Sequence, residues 1–251
     1  CRSVEDCALV LSAINGQDPA DRGSIAASFN FDATAGLGRM RLGYLPEAFA
    51  DAAATEVDRA ALAAAKALGI EVVPVALPEL PYASLMAILY AEAAAAFEEL
   101  TLTNRDDELV WQEKGAWPNA FRKARFLSAV DHVQADRLRY RVMQAMDGVF
   151  RAVDALIGPF MTGPMLVASN FTGHPCLHLR AGFLDLGTRS DPSLAHGKLE
   201  TGEATGGTRT FEVPQGISLW SGLFDEGRLC NLGMALEAAL GVADRRPGFA
   251  R

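Results

Sequence analysis

The segment GHPCLH has the most suggestive spacing in the chain for metal or acid–base chemistry. His174, Cys176 and His178 alternate, so on a β-strand their side chains would project from one face. Two imidazoles and a thiol on one face could bind zinc or copper. The alternative is that this face packs in the core or lines a pocket, with the imidazoles satisfied by backbone partners. We favour the second interpretation, because a tetrahedral metal site needs a fourth ligand, and we predict neither a metal nor a cofactor.

Residues for nucleophilic catalysis do not form a recognisable motif in this chain. It contains no GxSxG, no HExxH and no glycine-rich phosphate loop. None of its lysines lies in the apolar surroundings that would lower an ammonium pKa enough for a general base. The four are Lys66, Lys114, Lys123 and Lys198. We expect all four to be solvated, and we assign no catalytic residue within the chain.

Two arginines are candidates for binding an anionic group. Arg122 and Arg125 begin the charged run RKARFLSAVDHVQADRLRYR. The guanidinium group suits a carboxylate, so either arginine could hold an anionic part of a substrate. The favoured interpretation is that these charges form the solvated face of a long helix.

Charge, hydropathy and cysteine content restrict the class of protein. The 251 residues carry a formal net charge of -8, which argues against nucleic acid or an anionic membrane as the main partner. The longest apolar stretch, ASLMAILYAEAAAAF, contains Glu92 and is shorter than the roughly 20 residues of a membrane span. Four cysteines without CxxC spacing predict buried, reduced thiols and a cytoplasmic location.

The elements that must position these residues alternate between strands and helices. RMRLGYL, EVVPVALP, DALIGPF, TGHPCLHLRAGF and GISLWSG are typical of strands. Helical patterns separate or follow them in DRAALAAAKALG, YASLMAILYAEAAAAFEEL, SAVDHVQADRLRYRVMQAMDGVF and DEGRLCNLGMALEAALG. This order predicts a single α/β domain over residues 1–251, with a mixed β-sheet covered by helices. The Gly-, Ser- and Thr-rich residues 187–208 are expected to form a flexible loop insertion.

The first residues predict a helix. Ser3 and Asp6 have the spacing of a capping box. Cys7, Val10 and Ile14 then recur at helical intervals, so we expect this face of the helix to pack on a core.

The opening segment CRSVEDCALVLSAINGQDPAD resembles the part of amidase signature enzymes that follows their nucleophile region. The residues that carry this resemblance are Arg2, Val4, Asp6, Ile14, Gly16, Asp18, Pro19 and Asp21. The resemblance continues in family order through RLGYL, SAVDHVQADRLRYR, DALIGPF, SNFTGHPCL and LFDEGRLCNLGMALEAALG. It therefore extends over nearly the whole chain.

The resemblance implies an acyl-enzyme amidase acting on a small-molecule amide, with a Ser-Ser-Lys triad. In the family the lysine lies on an early strand and the serines in a Gly/Ser-rich stretch, both expected N-terminal to Cys1. The chain is then the C-terminal half of the domain, either a fragment of an amidase or a truncated descendant, and it is expected to be inactive alone.

Two alternatives to an amidase stay open. The chain could be a non-catalytic binding or scaffold module of the amidase fold, existing as a monomer or a homodimer. It could also be a glutamine-dependent amidotransferase A-type subunit. That subunit carries an aspartate shortly before its Asn-x-x-Gly segment, whereas PMLVASNFTG contains no acid, which disfavours this alternative.

SNFTGHP is the segment expected to form a pocket wall. We predict an irregular segment at Asn170 followed by a turn at Gly173, which would place Asn170, Phe171 and Thr172 at a strand end, where α/β sheets bind ligands. These three residues are candidate substrate-binding residues, and Trp117 is a candidate for the opposite wall. The alternative for Asn170 is a bond to nearby backbone, and for Trp117 simple packing.

Overall fold

A five-stranded mixed sheet lies at the centre of the fold, with strand order β2-β1-β3-β5-β4. The structure is a computed structural model that describes residues 1–160, 162–187 and 210–246. Strands β1, β2 and β3 run parallel to one another, and β5 runs antiparallel to both β3 and β4. The strands are β1 Arg41–Tyr44, β2 Glu71–Pro74, β3 Ala155–Pro159, β4 Cys176–Gly187 and β5 Thr210–Ser221. The predicted mixed α/β sheet is confirmed.

Helices precede, connect and follow these strands. They are α1 Val4–Ile14, α2 Pro46–Ala50, α3 Glu56–Ala67, α4 Met86–Ala96, α5 Glu98–Leu102, α6 Trp117–Ala124, α7 Ala129–Ala152, α8 Met165–Thr172 and α9 Glu226–Leu240. Two short 3₁₀ helices cover Tyr82–Leu85 and Arg105–Glu108. Apart from Gly187, which ends β4, the predicted 187–208 loop lies outside the described residues.

The sheet is covered on both faces, so the described residues form two hydrophobic clusters. On one face α1, α3 and α9 pack over Leu42, Ile157 and Leu219. On the other face α7 and α8 pack over Leu156 and Trp220. This is the arrangement expected when every strand of a sheet is apolar on both sides.

Helix α1 begins as predicted but buries a different face. Ser3 and Asp6 form the capping box. Val4 and Ala8 are the buried residues of the helix, whereas Val10 and Ile14 are exposed. The expected packing face is therefore wrong. Helix α1 packs against α9, where Gly233 has no side chain and leaves room for Val4.

The cysteine prediction is wrong for most of the thiols. All four are free, but only Cys230 is buried, Cys7 is half-buried, and Cys1 and Cys176 are exposed. Cys176 begins β4, where alternate residues face away from the cluster that holds Leu177 and Leu179.

None of the described helices is long and apolar enough to cross a membrane. The apolar stretch ASLMAILYAEAAAAF divides between the 3₁₀ turn Tyr82–Leu85 and the helix α4.

Candidate functional site

The carboxyl ends of the parallel strands β1 and β3 meet at one edge of the sheet, which is where α/β sheets bind ligands. At this edge Gly158 of β3 pairs with Ser218 of β5, and Ser218 pairs with His178 of β4. Beside them, the indole Nε1 of Trp220 donates a hydrogen bond to Ser169 Oγ of α8 at 3.2 Å. The side chains of Phe160, Cys176 and His178 are exposed. We call these three residues and the buried Ser218 the edge site.

The hydroxyl of Ser218 contacts one of the two ionisable members of the edge site. Ser218 is fully buried, and its Oγ lies 3.0 Å from His178 Nδ1. Partial desolvation raises the pKa of Cys176 to about 11, and the Ser218 hydroxyl opposes a smaller part of this shift, so the sulfur is a protonated thiol at neutral pH. Desolvation also lowers the pKa of His178, and the nearby charge of Asp58 offsets part of this effect.

The ring of His178 is held between a glycine and an aromatic side chain. It lies so close to Gly216 that a Cβ on that glycine would overlap the imidazole. The ring of Phe160 is tilted by 58° at a centroid distance of 5.0 Å. The imidazole therefore has a defined position although it is exposed to solvent.

His174 has surroundings different from those of His178. It is buried, stacks on Phe150 at 5.1 Å, and its Nδ1 lies 2.7 Å from Thr172 Oγ1. Because the Thr172 hydroxyl donates to the Ala168 carbonyl at 2.8 Å, it must accept from His174, which places the imidazole proton on Nδ1. Burial lowers the pKa of His174, and Asp147 partly offsets this.

The GHPCLH segment therefore separates its two histidines. His174 precedes β4 and belongs to the buried layer, whereas His178 lies at the edge site. Their partners are side-chain hydroxyls, not the backbone groups that we expected. Across residues 1–160, 162–187 and 210–246, no three His, Cys, Asp or Glu side chains lie together in a way that could hold a metal ion.

The predicted substrate-binding residues Asn170, Phe171 and Thr172 lie on a helix. The expected irregular segment is wrong, because Met165–Thr172 form α8 and Gly173 ends it with a φ of 80°. Asn170 Nδ2 donates to the Leu166 carbonyl at 2.7 Å, which is the local backbone bond considered as its alternative. Phe171 packs in the cluster of α7 and α8.

Trp117 lies at the start of α6, in an aromatic cluster. Its ring contacts Tyr90 at 6.3 Å and Phe121 at 5.7 Å, and Phe97 stacks on Phe121 at 5.3 Å. Trp117 is 46% exposed. No ring contact or hydrogen bond within the described ranges joins Trp117 to the α8 residues, so the structure does not bring the four predicted residues into one cluster.

Both candidate arginines form ion pairs within the protein. Arg122 Nε lies 2.7 Å from Asp106, whose side chain is 3% exposed, and Arg122 Nη2 lies 2.6 Å from Asp107. Arg125 pairs with Glu98 at 2.9 Å. The two guanidinium groups therefore pair with carboxylates in the segment before α7. This pairing disfavours the alternative that they bind an anionic group of a substrate.

A match to a model of a protein family shows which family the chain belongs to. Residues 1–184 match the model described as Amidase. The chain belongs to the amidase family. This result agrees with the fold and with the resemblance carried by the ordered segments.

Relatives and solved structures of the amidase family match most of this chain. An amidase of Pseudomonas putida is 28% identical over 75% of this chain and 47% of its own length. The A-type subunit of the Glutamyl-tRNA(Gln) amidotransferase of Ralstonia nicotianae is 26% identical over 98% of this chain and 57% of its own. The native peptide amidase from Stenotrophomonas maltophilia superposes with a TM-score of 0.67 at 21% identity, covering 99% of this chain and 54% of that one. The chain thus spans about half the length of the relatives it matches.

The described lysines do not have the surroundings of a triad lysine. Lys66, Lys114 and Lys123 are exposed, and none of them donates a hydrogen bond to a serine in the described residues. Lys66 lies over the Tyr44 ring at 5.6 Å. Lys198 lies outside the described residues.

Sequence reasoning missed Phe160 and Ser218 of the edge site. Both lie inside segments that were predicted as strands, DALIGPF and GISLWSG. Alternation along the second segment places Gly216, Ser218 and Trp220 on one face, so it could have marked Ser218 as a polar position on the face that carries Trp220. The pairing of Ser218 with His178 depends on strand register, for which the sequence contains no local signal.

Proposed function

We propose that the protein hydrolyses carbon–nitrogen amide bonds of small molecules through an acyl-enzyme. This chain contributes the sheet, its covering helices and part of the pocket wall, and the Ser-Ser-Lys residues lie outside residues 1–251. The observation that carries the proposal is the family match over residues 1–184. The exposed lysines of the described residues support an external triad, because none has a serine partner.

The pocket assignment is part of this proposal. Trp117, Asn170, Phe171 and Thr172 were predicted from the sequence, and they are divided between α6 and α8. Asn170 and Trp117 are exposed and are the two of these residues best able to reach a small amide. A cytoplasmic location and a homodimer are further parts of the proposal.

Ammonia release tests the activity directly. The protein encoded by the complete gene and the isolated 251-residue chain are each incubated with a panel of aryl and aliphatic primary amides. We expect turnover by the former and none by the latter. Robust turnover by the isolated chain would show that its own residues perform catalysis and would overturn the proposed division of roles.

A component of an amidotransferase is the second candidate. Two of the relatives are named as the A-type subunit of Glutamyl-tRNA(Gln) amidotransferase, at 23% and 26% identity, and such a role would imply partner subunits. Glutamine belongs in the amide panel for this reason. Ammonia release from glutamine alone would favour this second candidate, whereas broad amide turnover would favour an amidase. A cooperative melt without any turnover by either protein would favour a non-catalytic module.

A further inference from the structure

Helix α1 lies close against one face of helix α9. The backbone N–H of Val4 donates to Glu237 Oε2 at 3.3 Å, and Val4 Cγ1 lies 3.1 Å from the position that a Cβ on Gly233 would occupy. Gly233 and Glu237 are four residues apart, so they share one face of α9. Because Gly233 has no side chain, the backbone of α9 approaches Val4 closely. Cys230 lies on this same face, one turn before Gly233.

Cys7 lies on the face of α1 that meets α9. The buried residues of α1 are Val4 and Ala8, and Cys7 and Leu11 are half-buried beside them. These four residues have the i, i+3, i+4, i+7 spacing of one side of an α-helix. Cys230 belongs to the same hydrophobic cluster as Val4 and Ala8. Both cysteines are therefore on the faces through which the two helices pack.

The two helices run in opposite directions. The start of α1 contacts the C-terminal half of α9, as the contacts of Val4 show. At the other end of α1, the C-cap residue Asn15 donates from Nδ2 to the Ala27 carbonyl at 2.8 Å. Three residues further along the chain, the carbonyl of Asn30 lies against Gly227 in the first turn of α9. The end of α1 is therefore on the side of the start of α9, so the helices are antiparallel.

This antiparallel packing places the two cysteines opposite each other. One turn forward along α1 from Val4 and one turn back along α9 from Gly233 lead to Cys7 and Cys230. We propose that Cys7 and Cys230 are an oxidation site, and that they form an intramolecular disulfide with a small disulfide oxidant such as glutathione disulfide. A disulfide requires Cα atoms about 4.4–6.8 Å apart. The close approach of the helices at Gly233 favours such a separation.

The two sulfurs have different roles in the oxidation because they differ in burial. Cys7 is half-buried and is the more accessible of the two, whereas Cys230 is buried. The Cys7 sulfur attacks one sulfur of glutathione disulfide, which breaks that S–S bond and releases one glutathione. The Cys230 sulfur then attacks the Cys7 sulfur of the mixed disulfide and releases the second glutathione. Two electrons pass from the cysteines to glutathione disulfide, and the two thiol protons end on the two released glutathiones.

The other two cysteines are the comparison within the same chain. Cys1 and Cys176 are exposed. Cys1 precedes α1, and Cys176 begins β4, where it faces away from the cluster that contains Cys230. We expect both exposed thiols to form mixed disulfides with glutathione and no link to Cys230.

Non-reducing tryptic mass spectrometry of the 251-residue chain tests the proposal, because each cysteine lies in a different peptide. Peptide 3–22 contains Cys7, and peptide 229–245 contains Cys230. The chain, shown to be folded by circular dichroism, is equilibrated in glutathione redox buffers, and the remaining free thiols are blocked before digestion. We expect peptides 3–22 and 229–245 to be joined by a disulfide in the monomer.

A matched pair of variants and an unfolded reference show whether native packing brings the sulfurs together. Cys7→Ser should leave peptide 229–245 unlinked, whereas Cys176→Ser should form the link as the wild type does. The equilibrium constant for the link should be at least about 10-fold higher in the folded chain than in urea, because folding raises the effective concentration of one thiol at the other. Oxidation should also raise the urea midpoint of the wild type but not that of Cys7→Ser.

Two results would overturn the inference. One is a folded chain in which peptides 3–22 and 229–245 stay unlinked, whether or not Cys7 carries glutathione. The other is a link that forms no more readily in the folded chain than in urea, since the packing of α1 on α9 would then make no contribution. Both results are independent of the proposed amidase function, because neither measurement involves an amide or turnover.

Discussion

Two hydroxyl groups determine the environments of the histidines that flank the start of β4. Thr172 accepts from the buried His174, whereas Ser218 contacts the exposed His178. The sequence predicted the strand correctly from Cys176 onward but assigned both histidines to one common face. The separation arises because His174 lies before the first residue of β4 and packs on Phe150 of α7. Such a contact between distant parts of the chain has no local signal.

Stability should decrease in mild acid because of His174. Burial lowers its pKa below the ordinary value of 6.5, with Asp147 offsetting part of the shift. A base with a depressed folded-state pKa binds its proton first in the unfolded chain. Its contribution is therefore complete above about pH 6.5, the pKa in the unfolded chain, and decreases as the pH falls below that value.

Urea unfolding at pH 7.5 and pH 5.5 measures this effect. The wild-type protein should lose more stability between these values than His174→Gln, which cannot titrate. His178→Gln is the matched control, because its ring is exposed and should contribute less. Equal losses in wild type and His174→Gln would contradict the role of the buried imidazole.

The segment between α5 and α7 depends on one buried carboxylate. Asp106 is 2% exposed and pairs with Arg122, and Gln112 Nε2 donates to the Asp106 carbonyl at 2.8 Å. This region consists of the short 3₁₀ helix Arg105–Glu108 and the helix α6. The ion pairs were not predictable, because every charge in the segment was also compatible with a solvated position.

Arg122→Ala should destabilise the protein by about 2 kcal/mol, since it leaves a buried carboxylate without its charged partner. Arg125→Ala is the matched control on the same helix terminus, and loss of its exposed pair with Glu98 should cost about 0–1 kcal/mol. Chemical denaturation of both variants gives the difference. Equal losses of stability in the two variants would show that the buried ion pair contributes no more to stability than the exposed pair.

The packing of α1 on α9 depends on a glycine within α9. A Cβ at Gly233 would overlap Leu177 and approach Val4 at 3.1 Å. Gly148 of α7 offers a matched comparison, because a Cβ there would meet nothing within 4 Å. Both glycines are helical, so the gain in helix propensity on changing either to alanine is similar.

Gly233→Ala should lower stability by about 1–3 kcal/mol through overpacking. Gly148→Ala should instead raise it by about 0.5–1 kcal/mol, because only the backbone entropy changes. Thermal unfolding monitored by circular dichroism distinguishes the signs. A stabilising Gly233→Ala would show that neither Leu177 nor Val4 packs closely there.

Most strands and the longer helices were predictable because their signals are local. Apolar runs such as DALIGPF and the repeating leucines of α9 identify strands and helices by periodicity. The order of the strands and the buried face of α1 were not predictable. They depend on contacts between residues far apart in the chain, such as Val4 with Gly233.

The division of the amidase fold between this chain and the rest of the protein is the central claim. Relatives are about twice as long as the part that this chain matches, and no described lysine has a serine partner. The claim predicts that residues 1–251 form structure and pocket wall without the nucleophile.

Covalent labelling of the protein encoded by the complete gene tests this claim most directly. A fluorophosphonate forms a stable adduct with an activated serine, and tryptic mass spectrometry identifies the modified peptide. Labelling in the presence of excess amide substrate is the control, because the substrate should protect the nucleophile. The account predicts a single protected adduct on a serine outside residues 1–251. A protected adduct on a serine between Cys1 and Arg251 would contradict it.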